Sequence, residues 1–189
     1  MMIRDAEERD FSAVLALNKG SVHVLAPMTR ERLEKLHHRA SLHLVLEERG
    51  EVVAFVLAFR EGIEHDSVNY RWFAERYPSF LYVDRVVVAP DARSRGVGST
   101  LYEQLFAYAR ETDVEWVAAE FDVDPPNPAS AGFHARFGFH EVGRQVVPYG
   151  MKEVSMQIAD PRAARGHKAP SPGTVAADST ERRTGAEHD

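Results

Sequence analysis

The sequence predicts one α/β domain followed by a tail. Helical and extended patterns alternate along most of the chain, and a strand–loop–helix unit lies at its centre. A length of 189 residues fits a single domain, and an apolar share of 44 % is enough to bury a core. The elements are taken below in chain order.

The N-terminal part is predicted to be two helices followed by a hairpin. Residues 11–17 place apolar side chains at helical spacing, and Thr29 offers an N-cap to a second helix over 30–39. Two β-rich runs, 41–48 and 51–60, are joined by an Arg-Gly pair, which is typical of a hairpin.

The central part begins with an insertion and continues as strand, helix and strand. Residues 61–79 are expected to form an inserted loop with an aromatic turn, whose side chains form either a wall of an acceptor pocket or a small satellite core. A valine-rich strand over 80–88, an amphipathic helix over 98–111 and a strand over 115–121 follow. The remaining elements are a proline-rich loop over 122–128 and a short helix over 128–137 with Pro at its start. A closing hairpin of two strands, 139–147 and 150–158, ends the predicted fold.

Residues 160–189 have a different composition from the rest of the chain. They contain no Leu, Ile, Phe, Met, Tyr or Trp and are rich in Ala, Pro, Gly, Ser and Thr. Such a segment cannot bury enough apolar surface to offset the entropy of ordering it. We therefore expect a domain over 1–159 and a disordered tail over 160–189.

Charge and cysteine content narrow the classes of function. The chain has 23 Lys and Arg against 29 Asp and Glu, and its net charge of −6 disfavours nucleic acid as a partner because phosphate binding needs a basic face. The absence of cysteine excludes disulfides, thiolate metal sites and a Cys nucleophile. No apolar run approaches the length of a membrane span, and the N-terminal segment lacks the apolar core of a signal peptide. We expect a cytoplasmic protein with neither a metal site nor a membrane partner.

The most informative stretch is an Arg- and Gly-rich loop between the valine-rich strand and the helix that follows. Residues 86–99 read Val-Val-Val-Ala-Pro-Asp-Ala-Arg-Ser-Arg-Gly-Val-Gly-Ser. The first N–H groups of a helix have no partner within it, and together with the macrodipole they form an anion site. Gly96 and Gly98 let a bulky anion approach the backbone, and Arg93 and Arg95 add positive charge. The loop therefore predicts a diphosphate ligand.

Two other diphosphate motifs do not fit this loop. A P-loop requires Gly, four residues and then Gly-Lys-Ser/Thr, which is absent. A dinucleotide-binding fingerprint requires a third glycine at the position that Leu101 occupies.

The loop does resemble the pyrophosphate loop of the GNAT superfamily of acetyl-CoA-dependent N-acetyltransferases, Gln/Arg-x-x-Gly-x-Gly/Ala between a strand and a helix. Arg93, Gly96 and Gly98 stand at its three fixed positions. A second segment, residues 127–139, resembles the family's Asn-x-x-Ala/Ser-x-x-Leu/Phe-Tyr-x-x-x-Gly-Phe block. The resemblance covers residues 2–158.

This resemblance implies a fold and a place for the cosubstrate. The implied fold is a mixed central sheet of about six or seven strands flanked by about four helices, in which the parallel strands 80–88 and 115–121 splay apart around the pantetheine arm of acetyl-CoA. One N–H at a bulge of the first strand, near Val86, would face the thioester carbonyl. The implied acetyl-CoA contacts are Val86, Val87, Val88, Arg93, Ser94, Arg95, Gly96, Val97, Gly98, Ser99, Asn127, Ser130 and Phe133.

Two carboxylates are candidates for the base that deprotonates the amine. Asp84 is expected to share a strand face with Val86 and Val88, which could line the cleft; the alternative is an aspartate paired with Arg85. Glu120 lies late in the next strand, beside the implied thioester, and its alternative is a solvated or salt-bridged glutamate.

His134 is a departure from the family pattern. It stands where the family usually has the Tyr that acts as general acid toward the CoA thiolate, a role that an imidazole could keep. The alternative is a helix histidine with no catalytic part. Asp122 and Asp124 are expected either to attract an ammonium group or to serve as turn residues.

These residues favour an enzyme that transfers an acetyl group from acetyl-CoA to a primary amine by direct attack. The acceptor is a small-molecule amine or a peptide amine, and the sequence also leaves open whether the protein forms a homodimer. A non-catalytic acyl-CoA-binding module and a nucleotide-diphosphate binder are the alternatives.

Overall fold

The computed structural model describes residues 1–21, 27–147 and 152–163. Two short 3-10 turns in these ranges cover Glu8–Asp10 and Pro90–Ala92. The helices and strands are β1 (Met2–Asp5), α1 (Phe11–Lys19), α2 (Arg30–Arg39), β2 (Leu42–Glu48), β3 (Glu51–Arg60), α3 (Val68–Ala74), β4 (Phe80–Val88), α4 (Val97–Glu111), β5 (Trp116–Asp124), α5 (Pro128–Arg136), β6 (His140–Val147) and β7 (Lys152–Ala159).

The strands form one mixed sheet in the order β1-β2-β3-β4-β5-β7-β6. Its central pair, β4 and β5, is parallel, and the other neighbouring pairs are antiparallel. The ladder between β4 and β5 joins 80–82 to 116–118 and ends there, although β5 continues beside β7 as far as Asp124. The central strands therefore separate after Tyr82 and Ala118, which confirms the splayed sheet that the resemblance implied.

A β-bulge interrupts β4 just beyond this point of separation. Ala58 of β3 pairs with Val83, whereas the preceding Leu57 pairs with Arg85, so Asp84 is an extra residue in the strand. A bulge changes which face the following side chains occupy. The alternation predicted from residues 80–88 is consequently broken in the middle of the strand.

Each face of the sheet carries part of the core. On one face α4 packs Leu101 and Leu105 against β-strand side chains that include Val83. On the other face α1, α2 and α3 cover a second set that includes Phe11 and Phe73. Burial on both faces explains why the central strands are apolar almost throughout.

The segment predicted as an inserted loop contains a helix. The Ser67 hydroxyl accepts hydrogen bonds from the backbone N–H groups of Asn69 and Tyr70 and caps α3. Tyr70 and Phe73, three residues apart, are buried in the core beneath this helix. The loop prediction was wrong because a helix of seven residues has too few turns for its periodicity to stand out.

Packed residues continue past residue 159, although the predicted tail begins at residue 160. Pro161 is buried and its carbonyl oxygen accepts a hydrogen bond from Arg110, while Arg162 pairs with Asp113. The rest of the predicted tail, 164–189, and the start of the last predicted strand at 150–151 lie outside the described residues. Within the described ranges no helix is both long and apolar enough to cross a membrane.

Candidate active site

The site is organised around the edge of β4 that β5 leaves uncovered. From Val83 onward β4 is paired with β3 on one side, and its ladder with β5 has ended. Val86 and Val88 are half-buried and pack toward the α4 side, whereas Val87 is buried on the α1 side. A free strand edge presents backbone N–H and C=O groups that an extended ligand can pair with.

The loop after β4 brings the predicted diphosphate residues together at the start of α4. Gly96 has a φ of 81° and forms the N-cap of the helix, a conformation that favours glycine. The Arg93 Nε donates to the Val88 carbonyl oxygen at 3.2 Å, so this side chain reaches back to the end of the strand. Arg95 lies 2.6 Å from a carboxylate oxygen of Glu48, which offsets part of its charge. Ser94 is exposed, Ser99 is half-buried and Val97 is buried.

The second predicted block lies beside this loop. Asn127 caps α5, since its Oδ1 accepts the Ser130 N–H at 3.1 Å. The Phe133 ring is the nearest neighbour of Gly98: a Cβ atom on that glycine would lie 3.5 Å from it. The structure therefore places the two sequence blocks in contact through Phe133 and Gly98.

His134 lies on α5, and its side chain is buried against α4. Its Nδ1 lies 2.8 Å from the Ser130 carbonyl oxygen and its Nε2 lies 3.0 Å from the Tyr102 hydroxyl. A carbonyl can only accept, so Nδ1 carries the proton and Nε2 accepts from Tyr102. Burial lowers the pKa of His134 and favours this neutral form. The imidazole thus has structural partners on both nitrogens, which matches the alternative interpretation of a helix histidine.

Glu120 lies on β5 two residues beyond the last pair with β4. Its Oε1 accepts two hydrogen bonds, from Asn69 Nδ2 at 2.8 Å and from the Tyr82 hydroxyl at 2.9 Å. Its Oε2 is buried and has no hydrogen-bond partner among the described residues. Burial raises the pKa of Glu120 from 4.5 to about 7, although the two donors partly oppose this shift. A carboxyl with such a pKa can take and return a proton near neutral pH.

Asp84 does not share a face with Val86 and Val88, and that prediction was wrong because of the bulge. Its carboxylate lies instead with Arg85, whose Nε donates to Oδ2 at 3.1 Å, as the alternative interpretation expected. The Nε2 of buried His65 lies 3.5 Å from Oδ1. Asp84 is thus held by two cationic or potentially cationic partners.

Asp122 and Asp124, predicted to lie on a loop, belong to the end of β5, because the strand continues beside β7 to Asp124. Asp122 pairs with Lys152 at 2.8 Å, whereas Asp124 is exposed. No group of three or more His, Asp or Glu side chains that could hold a metal ion occurs in the described part of the chain.

Sequence reasoning missed Asn69 and Tyr82, which donate to Glu120, and Gln145, which donates to Asn69. Gln145 Nε2 donates to Asn69 Oδ1 at 2.7 Å, which extends the hydrogen-bond chain from β5 through α3 to β6. The signal that could have indicated a functional residue was Asn69, a polar residue in the otherwise aromatic-rich segment 69–73. Its partners are too distant in the chain for any local pattern to identify them.

Comparisons with known proteins agree with this arrangement. Residues 2–139 match the family model described as the acetyltransferase (GNAT) family. A curated relative, phosphinothricin N-acetyltransferase of Streptomyces coelicolor, is 48 % identical over 58 residues, which make up 31 % of this chain and 33 % of that protein. The aligned chain thus spans a third of the length of that relative.

Solved structures extend the likeness over most of the chain. The ribosomal-protein-alanine N-acetyltransferase of Brucella melitensis is 27 % identical with a TM-score of 0.65, covering 85 % of this chain and 99 % of that one. The Salmonella typhimurium protein yncA, solved with its cofactor acetyl-CoA, shares the fold at 21 % identity and a TM-score of 0.63, covering 89 % of this chain and 98 % of that one. Because the family model matches well over half of its length, this chain belongs to the GNAT family of acetyltransferases.

Proposed function

We propose that the protein transfers the acetyl group of acetyl-CoA to a primary amine, with Glu120 as the base. The observation that carries this proposal is the Glu120 carboxyl, which lies just beyond the point where β4 and β5 separate and has a pKa of about 7. Primary amines are mostly protonated at neutral pH, and only the neutral form attacks a carbonyl. A base that titrates near neutral pH suits the removal of that proton.

The cosubstrate would be held by the loop and the uncovered strand edge. The N–H groups of the first turn of α4, the left-handed turn at Gly96 and the Arg93 side chain suit a pyrophosphate. The edge of β4 at Val86 and Val88 suits the amide groups of pantetheine. The same residues carried the sequence resemblance, and their spatial proximity supports it.

The chemical step follows from these positions. Glu120 Oε2 takes the amine proton, the amine nitrogen bonds to the thioester carbon, and a backbone N–H of β4 near Val86 donates to the oxyanion. The carbon–sulfur bond then breaks and CoA leaves as a thiolate. The second proton of the amine nitrogen passes to solvent as the amide forms. The CoA thiolate, a fair leaving group because its thiol pKa is near 8.5, takes its proton from solvent. His134 is given no part in the step, because Nδ1–H is used within α5.

The names of two relatives suggest two classes of acceptor. One acts on phosphinothricin, a small amine, and one on an alanine of a ribosomal protein. We propose a screen with phosphinothricin and with a peptide that starts with alanine as its two first probes. Acetylation of one and not of the other would assign this chain to the small-molecule or the peptide class.

The proposal is tested by binding and by turnover. Acetyl-CoA titrated calorimetrically should bind the wild type and the control Arg30→Ala on α2, and should not bind the Arg93→Ala/Gly96→Glu double variant. Glu120→Gln should keep acetyl-CoA binding and lose acetylation by about 10²-fold or more. Acetyl-CoA binding with no acetylation of any amine would favour the non-catalytic acyl-CoA-binding module. Absence of binding by the wild type would reject both readings.

A further inference from the structure

We propose that Asn69 is a positioning residue for Glu120, and that Gln145 fixes the orientation in which Asn69 acts. This proposal rests on the base role of Glu120 given above. It gives α3, which was predicted to be a loop, the role of holding Asn69 beside Glu120.

The hydrogen bonds that link Gln145, Asn69 and Glu120 can run in only one direction. A carboxylate accepts and cannot donate, so Asn69 must present Nδ2 to Glu120 Oε1, at 2.8 Å. The Asn69 Oδ1 then points away from Glu120 and must meet a donor. Gln145 Nε2 supplies it at 2.7 Å. If Asn69 turned over, an amide oxygen would face a carboxylate and two amide nitrogens would face each other.

These contacts distinguish the two oxygens of the carboxyl. Asn69 and Tyr82 both donate to Oε1, at 2.8 and 2.9 Å, and hold that oxygen from two sides. Oε2 is the buried oxygen without a partner among the described residues. Asn69 therefore sets the plane of the carboxyl and leaves Oε2 to take the proton.

The position of α3 is itself determined by β6. The Trp72 ring lies against the backbone of Gly143, with no room for a Cβ atom between them. Gln145 lies two residues further along β6, on the same face of the strand. Asn69 is buried, so α3 brings it to Glu120 with few alternative positions.

Other charged and titratable groups also act on Glu120. Asp84 and Asp122 raise its pKa, and Tyr82 lowers it through its hydrogen bond. Asp122 is paired with Lys152. Burial, and to a lesser extent the charge of Glu120, raises the pKa of the Tyr102 hydroxyl. The Asn69 donor lowers the pKa, so its removal should raise it.

A direct titration of Glu120 tests this without knowledge of the acceptor. The ¹³C signal of the Glu120 side-chain carboxyl, assigned by its loss in Glu120→Gln, is followed against pH in the full chain. Asn69→Ala should raise the pKa of Glu120 by about one pH unit. Gln145→Ala should raise it less, because Asn69 can then turn over, and it should add nothing in the Asn69→Ala background. Arg144→Ala, which removes the next side chain of β6 and its surface ion pairs, should leave it unchanged.

Gln145→Glu provides a second variant of the same shape in case Asn69→Ala does not fold. It replaces the donor with an acceptor, so Asn69 should turn its Nδ2 away from Glu120, and both this loss and the added negative charge should raise the pKa. Gln145→Met, which removes the donor without adding charge, should still raise it. An unchanged Glu120 pKa in folded Asn69→Ala, or in folded Gln145→Glu, would overturn the positioning role. Full acetylation by Glu120→Gln would instead reject the base assignment on which the proposal rests. The two failures are therefore distinguishable.

Discussion

Trp72 of α3 occupies the space that a side chain at Gly143 of β6 would need. A Cβ atom built on Gly143 would lie 2.6 Å from Trp72 Cζ2, well inside contact distance. The Arg76 guanidinium also lies over this ring, 4.2 Å from its centroid. This contact joins the helix that carries Asn69 to the strand that carries Gln145.

Substitution of Gly143 should therefore separate α3 from β6. We expect Gly143→Ala to lower the free energy of unfolding by about 1–3 kcal/mol, as overpacked sites do. Urea unfolding measures this cost. Gly132→Ala in α5 is the matched control, because a Cβ atom there meets nothing within 4 Å and should be neutral or stabilising by roughly 0.5–1 kcal/mol. Trp72→Leu should relieve the cost in a Gly143→Ala/Trp72→Leu variant; equal stability of Gly143→Ala and the wild type would contradict this account.

The buried carboxyl of Glu120 should make stability depend on pH. Its pKa in the folded protein is about 7, above its ordinary value of 4.5, because the fold favours the protonated carboxyl. The contribution of this carboxyl to the free energy of unfolding is therefore fully present below pH 4.5 and is lost as pH rises through 7. Glu120→Gln removes this loss and should be more stable than the wild type at pH 8, by up to about 3 kcal/mol. The difference should shrink toward pH 4.5. Unfolding curves at both pH values measure it, with exposed Glu75→Gln as the control that should not change between them.

The Tyr102–His134 contact should contribute to stability more than to catalysis. Tyr102→Phe removes the donor to His134 Nε2, and His134→Phe leaves the buried Tyr102 hydroxyl without its acceptor. Each should cost about 1–3 kcal/mol in unfolding free energy, and the double variant less than the sum. The turnover rate should stay within about tenfold of the wild type. A loss of turnover that is much larger for His134→Phe than for Tyr102→Phe would restore the general-acid role.

Two glycines of the loop should respond in opposite ways. Gly98→Ala places its Cβ at ordinary contact distances, 3.5 Å from Phe133 and 3.6 Å from Val88, inside the first turn of α4. It should stabilise the fold by roughly 0.5–1 kcal/mol and still weaken acetyl-CoA binding about tenfold, since the methyl group occupies the surface proposed for the pyrophosphate.

Gly96→Ala should instead destabilise the fold by about 1–2 kcal/mol, because a φ of 81° strains any residue with a Cβ atom. Thermal unfolding and calorimetric titration separate the two effects. Unchanged acetyl-CoA affinity in Gly98→Ala would place the pyrophosphate elsewhere.

The long elements could be predicted from the sequence because their patterns are local. The strand over 80–88 has the predicted bounds, and the helix predicted over 98–111 begins one residue earlier, at Val97. The strand β1, with four residues, and α3, with seven, were missed because so few residues hold no clear period.

The candidate site could be predicted only in part, for a related reason. Glu120 could be proposed from its place late in a strand, whereas its partners could not. Asn69 lies 51 residues before Glu120 and 76 before Gln145 in the chain, and their contacts exist only after the sheet has formed. The resemblance implied a bulge near Val86, but the residues themselves did not locate it at Asp84, because a bulge arises when strands pair and leaves no fixed pattern in one strand.

Asp84, the extra residue of the bulge, also divides β4 into two halves in which different alternate residues face α4. Before Asp84 the odd-numbered Leu81 and Val83 face α4, and after it the even-numbered Val86 and Val88 do. A regular strand that kept Asp84 would turn Val86 and Val88 to the opposite face, whereas deleting Asp84 would remove the bulge and leave both valines facing α4. The bulge in β4, as much as the identity of its residues, therefore determines which groups the protein presents along the cleft.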